Sequence, residues 1–173
     1  MERTFIQDLR AKIGQQVTLK GWLQTLRDQK SMQFLILRDR TGLVQAAHWK
    51  KGNPEMAEAI SALGTESALT ITGTVVENEV VKLGGIEIQL ESLVIENNAE
   101  LPLPFEPFAD TLPDQDYRMD WRYLDLRRER NRLIFEIQTC RTSHARVLDP
   151  KRIHRNPFPK DHGSSKRKRR GTI

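Results

Sequence analysis

The chain of 173 residues is 38% hydrophobic and 29% charged, with a formal net charge of +5 and a single cysteine. That length supports one core of roughly 100 to 150 residues with appendages, and disfavours two full domains. The lone Cys140 excludes an internal disulfide and a thiolate zinc cluster. No apolar run approaches the roughly 20 residues of a membrane span, and the charged start "MERTFIQDLR" lacks a signal peptide's apolar stretch. A soluble, cytoplasmic protein with no membrane partner and no metal site is expected. The excess of positive charge is confined to one end. Residues 1–139 hold 17 Lys/Arg against 21 Asp/Glu, a net of −4, whereas residues 140–173 hold 11 against 2, a net of +9.

In chain order, "VTLKGWLQTLRD" alternates Val17, Leu19, Gly21 and Leu23 against Thr18, Lys20, Trp22 and Gln24, the period-two pattern of a strand with one buried face. "MQFLILRD" predicts a second strand, joined to the first by the polar "DQKS", and "RTG" turns the chain into a third, "LVQAAHW". "NPEMAEAISAL" predicts a helix, with Asn53 as N-cap, Pro54 at N1, and Met56, Ala59, Ile60 and Leu63 at helical spacing. "ALTITGTVVEN" and "IEIQLESLVI" are two further strands, joined through "EVVKLGG", whose Gly84 and Gly85 permit positive φ. Five strands with a helix between the third and fourth is the order of an oligonucleotide/oligosaccharide-binding (OB) barrel, an all-β fold whose strand face and loops commonly bind single-stranded nucleic acid. This domain is assigned to residues 1–100.

Residues 101–117 belong to the acidic, proline-rich stretch "NNAELPLPFEPFADTLPDQD", which reads as an extended hinge without a core of its own. In "RMDWRYLDLRRERNRLIFEIQT", Leu126, Leu133, Ile134 and Ile137 give a short helical stripe that needs a partner surface. Residues 140–173 hold too few apolar side chains among eleven basic ones to offset chain entropy, and a disordered tail is expected.

The residues "VTLKGWLQTLRDQKSMQFLILRDRTGLVQ", "ELPLPFEP" and above all "DWRYLDLRRERNRLIFEIQT" resemble, in the same order, the N-terminal anticodon-binding domain, hinge and start of the catalytic domain of class II aspartyl-tRNA synthetases. "RYLDLRR" favours the aspartyl over the asparaginyl branch, and the hinge "LPDQDYRMDW" is similar to that of bacterial enzymes of the aspartate–tRNA(Asn) ligase group. The resemblance covers residues 1–139, with 118–139 as the remnant of the catalytic-domain start. It implies a module that binds the tRNA anticodon loop. Full-length members attach aspartate to tRNA(Asp), and in that group tRNA(Asn), using ATP and Mg; they are homodimers. The segments carrying the ATP site, the aspartate pocket and most of the dimer interface have no counterpart in these 173 residues, so no catalytic residues, no cofactor and no ligase activity are expected of the chain itself.

Where the family continues into its first class-defining motif, this sequence reads "CRTSHARVLDPKRIHRNPFPKDHGSSKRKRRGTI". The genetic code tests the departure. Val147, Leu148, Asp149 and Pro150 can be encoded GTT CTG GAT CCA, and dropping the first base gives TTC TGG ATC, or Phe-Trp-Ile. With permitted third bases the whole tail yields a string containing "FIEIHSPK", which resembles the missing motif. The tail is therefore read as out-of-frame translation after Thr139. The alternative is a stand-alone OB-fold RNA-binding or regulatory protein whose run Lys166–Arg170 supplies non-specific affinity.

By the same resemblance four residues form the RNA site. Phe34 matches the aromatic under the central uracil, and Gln45 the amide that reads its edge. Arg27 matches a position near the anticodon guanine, and Glu87 the acidic residue that reads the third base. The chemistry suits these roles, because a ring tolerates any base while an amide, a guanidinium and a carboxylate discriminate between base edges. Pattern alone leaves ordinary roles open. Phe34 fits a barrel core equally well, Gln45 and Glu87 fit solvated positions, and Arg27, Arg38 and Arg40 fit ion pairs with Asp28 and Asp39. Trp22 flanks RNA or covers a barrel end, and His48 has no assigned role.

Overall fold

The computed structural model describes residues 2–148, with side chains as far as Cys140. They fall into two units, one ending at Leu103 and one beginning at Pro104. In the first, six strands share a sheet: β1 (Arg3–Thr4), β2 (Gln16–Asp28), β3 (Met32–Arg38), β4 (Leu43–Trp49), β5 (Ala68–Glu77) and β6 (Ile86–Asn97). Their order is β1-β2-β3-β4-β6-β5, and a further β2–β5 pairing closes β2 to β6 into a five-stranded barrel. With helix α1 (Pro54–Ser61) between the third and fourth barrel strands, this is the OB architecture expected from the sequence.

Closure falls to β2, which is long enough to serve two neighbours. Its first half, from Gln16, pairs with β5, its second half, to Asp28, pairs with β3, and Trp22 lies opposite both Ala68 and Arg38. The two-residue β1 takes the edge of β2 at Thr18 and Leu19, in parallel. Neither β1 nor the 3-10 helix Ile6–Lys12 that follows it was expected, since both are too short to show a period. The helix nevertheless buries Ile6 and Leu9, and buried Asp39 accepts from the Ile6 backbone N–H at 3.0 Å.

The register of β2 shifts between Leu23 and Thr25, leaving Gln24 unpaired as a bulge. Before it the buried side chains are Val17, Leu19, Gly21 and Leu23. After it Leu26, opposite fully buried Leu35, packs on the core, and Arg27, opposite Phe34, is exposed. The alternation predicted from the sequence holds up to the bulge and inverts after it, because one extra residue moves the following side chains to the opposite face.

The core consists of inward residues from all five barrel strands, among them Leu19, Leu35, Val44, Ile71 and Ile88, together with Ile60 and Leu63 from and just after α1. Asn53 caps α1 by accepting from the Met56 N–H at 3.1 Å, with Pro54 at the first position. The buried face of α1 is Ala57 and Ile60, with Met56 only partly buried and Ala59 half-exposed. Gln33, fully buried on β3, ties the helix down by donating to the Ala57 carbonyl at 2.8 Å. Arg38 and Glu66 make a two-pronged ion pair at 3.0 and 2.9 Å with side chains 12% and 3% exposed. Gly84 and Gly85 adopt φ of 83° and 68° in the β5–β6 connection, as the sequence suggested.

In the second unit, Phe105 and Leu124 are buried and the helices are α2 (Gln115–Asp120), α3 (Arg122–Asp125) and α4 (Glu129–Leu148). Leu133, Ile134, Phe135 and Ile137 of α4 are 40–62% exposed. Helix α4 runs past Thr139, so the first residues of the expected tail are helical; Arg141, Ala145 and Leu148 are good helix formers whatever the net charge around them. The rest of that tail lies outside the described residues.

Gly73 sits where β6 gains an extra residue against β5, and a Cβ there would lie 2.1 Å from the Gln89 carbonyl oxygen and 2.8 Å from Ile88 Cγ2. Gly73→Ala therefore forces backbone apart, and we expect it to lower stability by about 1–3 kcal/mol in thermal or urea unfolding.

Candidate nucleic-acid interface

On the outer face of the sheet, cross-strand pairing sets the candidate residues in adjacent rows. Ile36, Gln45 and Glu87 are successive partners across β3, β4 and β6, and Arg27, Phe34 and Ala47 are successive partners across β2, β3 and β4. The connection after β5 rises beside them. Together they enclose an open cavity of about 430 Å³ lined by Arg27, Gln29, Phe34, Gln45, Asn78, Glu87 and the loop segment 80–83. All four residues named from the sequence lie in this one cavity.

A chain of side-chain hydrogen bonds crosses its floor. Arg27 Nη2 donates to Gln45 Oε1 at 3.1 Å, and Gln45 Nε2 donates to Glu87 Oε1 at 2.7 Å. Asn78 Nδ2 donates to Glu87 Oε2 at 2.9 Å. Guanidinium is only a donor and carboxylate only an acceptor, so the Gln45 amide has one consistent orientation. Each of its ends keeps capacity for one more bond, a lone pair on Oε1 and a hydrogen on Nε2. Glu87 is 8% exposed yet forms no salt bridge among the described residues.

The ordinary roles left open by the sequence resolve as follows. Phe34 is half-buried and not part of the core cluster; Leu35 and Leu37 on the other face of β3 fill the barrel. Arg27 does not pair with Asp28, whose partners are Lys50, Ser61 Oγ at 2.7 Å and Gln33. The hydrogen bond from Lys50, followed by that from Ser61, holds the Asp28 carboxyl below its ordinary value. Arg38 pairs with Glu66, and Arg40 lies 4.5 Å from the Phe5 ring centroid. Asp39 accepts from the Ile6, Thr41 and Gly42 backbone N–H groups. Gln45 and Glu87 are not solvated surface positions, since each is fixed by side-chain bonds within the cavity. His48 is buried, with Nε2 3.2 Å from the Asn53 carbonyl oxygen, a structural contact beneath α1. Trp22 is 37% exposed at the strand-sharing point of β2.

Asn78 was missed. Its carbonyl Oδ1 accepts from the Val80 N–H at 3.2 Å while its amide holds Glu87, so one residue both starts the loop turn and anchors the carboxylate. The available signal was an asparagine at a strand end shortly before Gly84 and Gly85. The two Glu87 oxygens accept from two different amide donors, and replacing Glu87 by Gln turns one of those oxygens into a donor facing the amide aimed at it. We expect Glu87→Gln to cost about 1–3 kcal/mol of stability, measured by chemical unfolding of the full chain.

The comparisons with known proteins agree with the fold of the barrel. Residues 17–96 match the family of OB-fold nucleic acid binding domains of the tRNA anticodon type. An aspartate–tRNA(Asp/Asn) ligase of Methanopyrus kandleri is 37% identical over 134 residues, which is 77% of this chain and 31% of that protein. Among solved structures, an aspartyl-tRNA synthetase from Entamoeba histolytica superposes with a TM-score of 0.77 at 26% identity, covering 87% of this chain and 38% of that one. The asparaginyl-tRNA synthetase of Pyrococcus horikoshii, in complex with asparaginyl-adenylate, gives 0.75 at 26%, covering 86% and 34%. The chain thus spans about a third of the length of the relatives it matches, and its barrel is an anticodon-binding OB domain of the aspartyl/asparaginyl-tRNA synthetase type.

Proposed function

We propose that the barrel binds the anticodon loop of tRNA(Asp), and of tRNA(Asn), through the outer-face cavity. The observation that carries this reading is the convergence of Phe34, Gln45, Arg27 and Glu87 in one cavity, three of them already linked by hydrogen bonds. An unpaired loop is the form of RNA that presents base edges and faces together. Phe34 supplies a π-face for the central uracil. The spare lone pair and the spare hydrogen of Gln45 meet the N–H donor and the carbonyl acceptor of its edge. Arg27 addresses the guanine or its phosphate, and Glu87 accepts from a cytosine amino group.

Aspartate–tRNA ligation is the activity of the relatives, and the 173-residue chain is assigned none of it. Residues 140–173 are read as out-of-frame, which sequencing the gene across codon 139 tests directly. Purified chain is expected to show no aspartate-dependent pyrophosphate exchange; exchange by homogeneous protein would refute that assignment.

Recognition is tested by salt titration on a stem-loop carrying GUC and on one with a scrambled loop. Phe34→Ala should lower the preference between them by about 1–3 kcal/mol at unchanged salt dependence. Equal losses on both RNAs would show that Phe34 only supports the fold. Deleting residues 140–173, which carry eleven basic residues against two acidic, should flatten the salt slope and leave the preference intact.

A further inference from the structure

The outer face that carries the cavity continues beyond it. On β4 the outward positions are Gln45, Ala47 and Trp49, alternating with inward Val44, Ala46 and His48. Trp49 is 56% exposed, and its cross-strand partner is Met32, one row beyond the Phe34–Ala47 pair. Two residues of strand rise separate these rows, about 7 Å. Between Gln45 and Trp49, β4 itself offers only the methyl group of Ala47. Gln29 joins the two regions, since it lines the cavity and its backbone N–H donates to the Met32 carbonyl at 2.9 Å.

An exposed tryptophan alone means little. Here two further features accompany it. Among the described residues its ring makes no aromatic contact and its indole N–H has no acceptor. Lysines also gather at this end of the sheet. The Lys50 N–H donates to the Ser31 carbonyl at 3.1 Å, which brings the turn carrying Lys30 beside the turn carrying Lys51. Lys50 is committed to Asp28, while Lys30 and Lys51 have no ion-pair partner among the described residues. Aromatic rings interleaved with uncommitted cations are the composition of a single-strand track.

We propose that Trp49 is a second base-stacking platform, holding the nucleotide that adjoins the one on Phe34, on the side away from Glu87, while Lys30 and Lys51 neutralise its phosphates. The spacing of about 7 Å is twice the 3.4 Å rise of stacked bases, so the two rings take neighbouring nucleotides splayed side by side. This assignment rests on the reading that Phe34 holds a base.

The test uses the full chain, the GUC stem-loop, and versions with an abasic site on either side of the uridine. Trp49→Ala should weaken binding about 5- to 150-fold, the range for loss of one stacked base, with the salt slope unchanged. Trp49→Phe should recover much of the loss. The Trp49→Ala penalty should vanish on one of the two abasic RNAs. Lys30→Gln with Lys51→Gln should instead flatten the salt slope by about 0.7 per contact. Normal binding by Trp49→Ala beside impaired Phe34→Ala would overturn this inference alone. Normal binding by both variants would overturn the anticodon reading and this inference with it. A Trp49→Ala penalty that persists on both abasic RNAs would show that Trp49 does not stack on a base.

Discussion

The one-residue bulge at Gln24 is the constraint on which both the barrel and its site depend. Up to Trp22, β2 pairs with β5, and from Trp22 on it pairs with β3, so a single 13-residue strand must serve two directions of the same closed sheet. The bulge bends it and raises its twist at that transition. The same extra residue decides which side of the sheet Arg27 occupies. Without it Arg27 would follow Leu19 and Leu23 into the core, where an unpaired guanidinium is prohibitively costly. With it Leu26 enters the core and the guanidinium reaches Gln45.

A division of labour follows from this geometry. The inner face is nearly all aliphatic, and its few buried polar groups make structural bonds, as when the Gln33 amide N–H holds α1 and Asp39 holds the 3-10 helix. The outer face of β3 and β4 is where Phe34, Gln45 and Trp49 stand, with their polar neighbours bonded to one another instead of to the core. Lys50 occupies Asp28, and that leaves the guanidinium next to it in sequence to the cavity.

The barrel was legible in the sequence because its signals are periodic. Five alternating runs, an Asn-Pro helix start and a Gly-Gly turn each have a local physical cause, and each appears within a residue or two of its expected place. The bulge was not read, although the spacing of three between Leu23 and Leu26 was its trace. β1 and the 3-10 helix were not read either, since their stability comes from contacts with distant residues such as Thr18 and Asp39. The candidate residues came from a family resemblance; spacing alone could not have gathered Arg27, Gln45, Asn78 and Glu87, which four separate segments supply. Phe34 illustrates the limit best, because an aromatic on an alternating strand has equal claim to either face until the register is known.

The orientation of the Gln45 amide has a thermodynamic consequence. A free glutamine samples many rotamers, and freezing one on ligand contact costs about 0.5–1.5 kcal/mol of the affinity it provides. In this barrel Arg27 on one side and Glu87 on the other have already selected the rotamer, so that entropy is surrendered when the chain folds. A guest meeting Gln45 encounters a rigid donor and acceptor pair whose polarity is set. Mismatched edges are then penalised by like poles facing each other, and the side chain has no low-cost rotation by which to accommodate them.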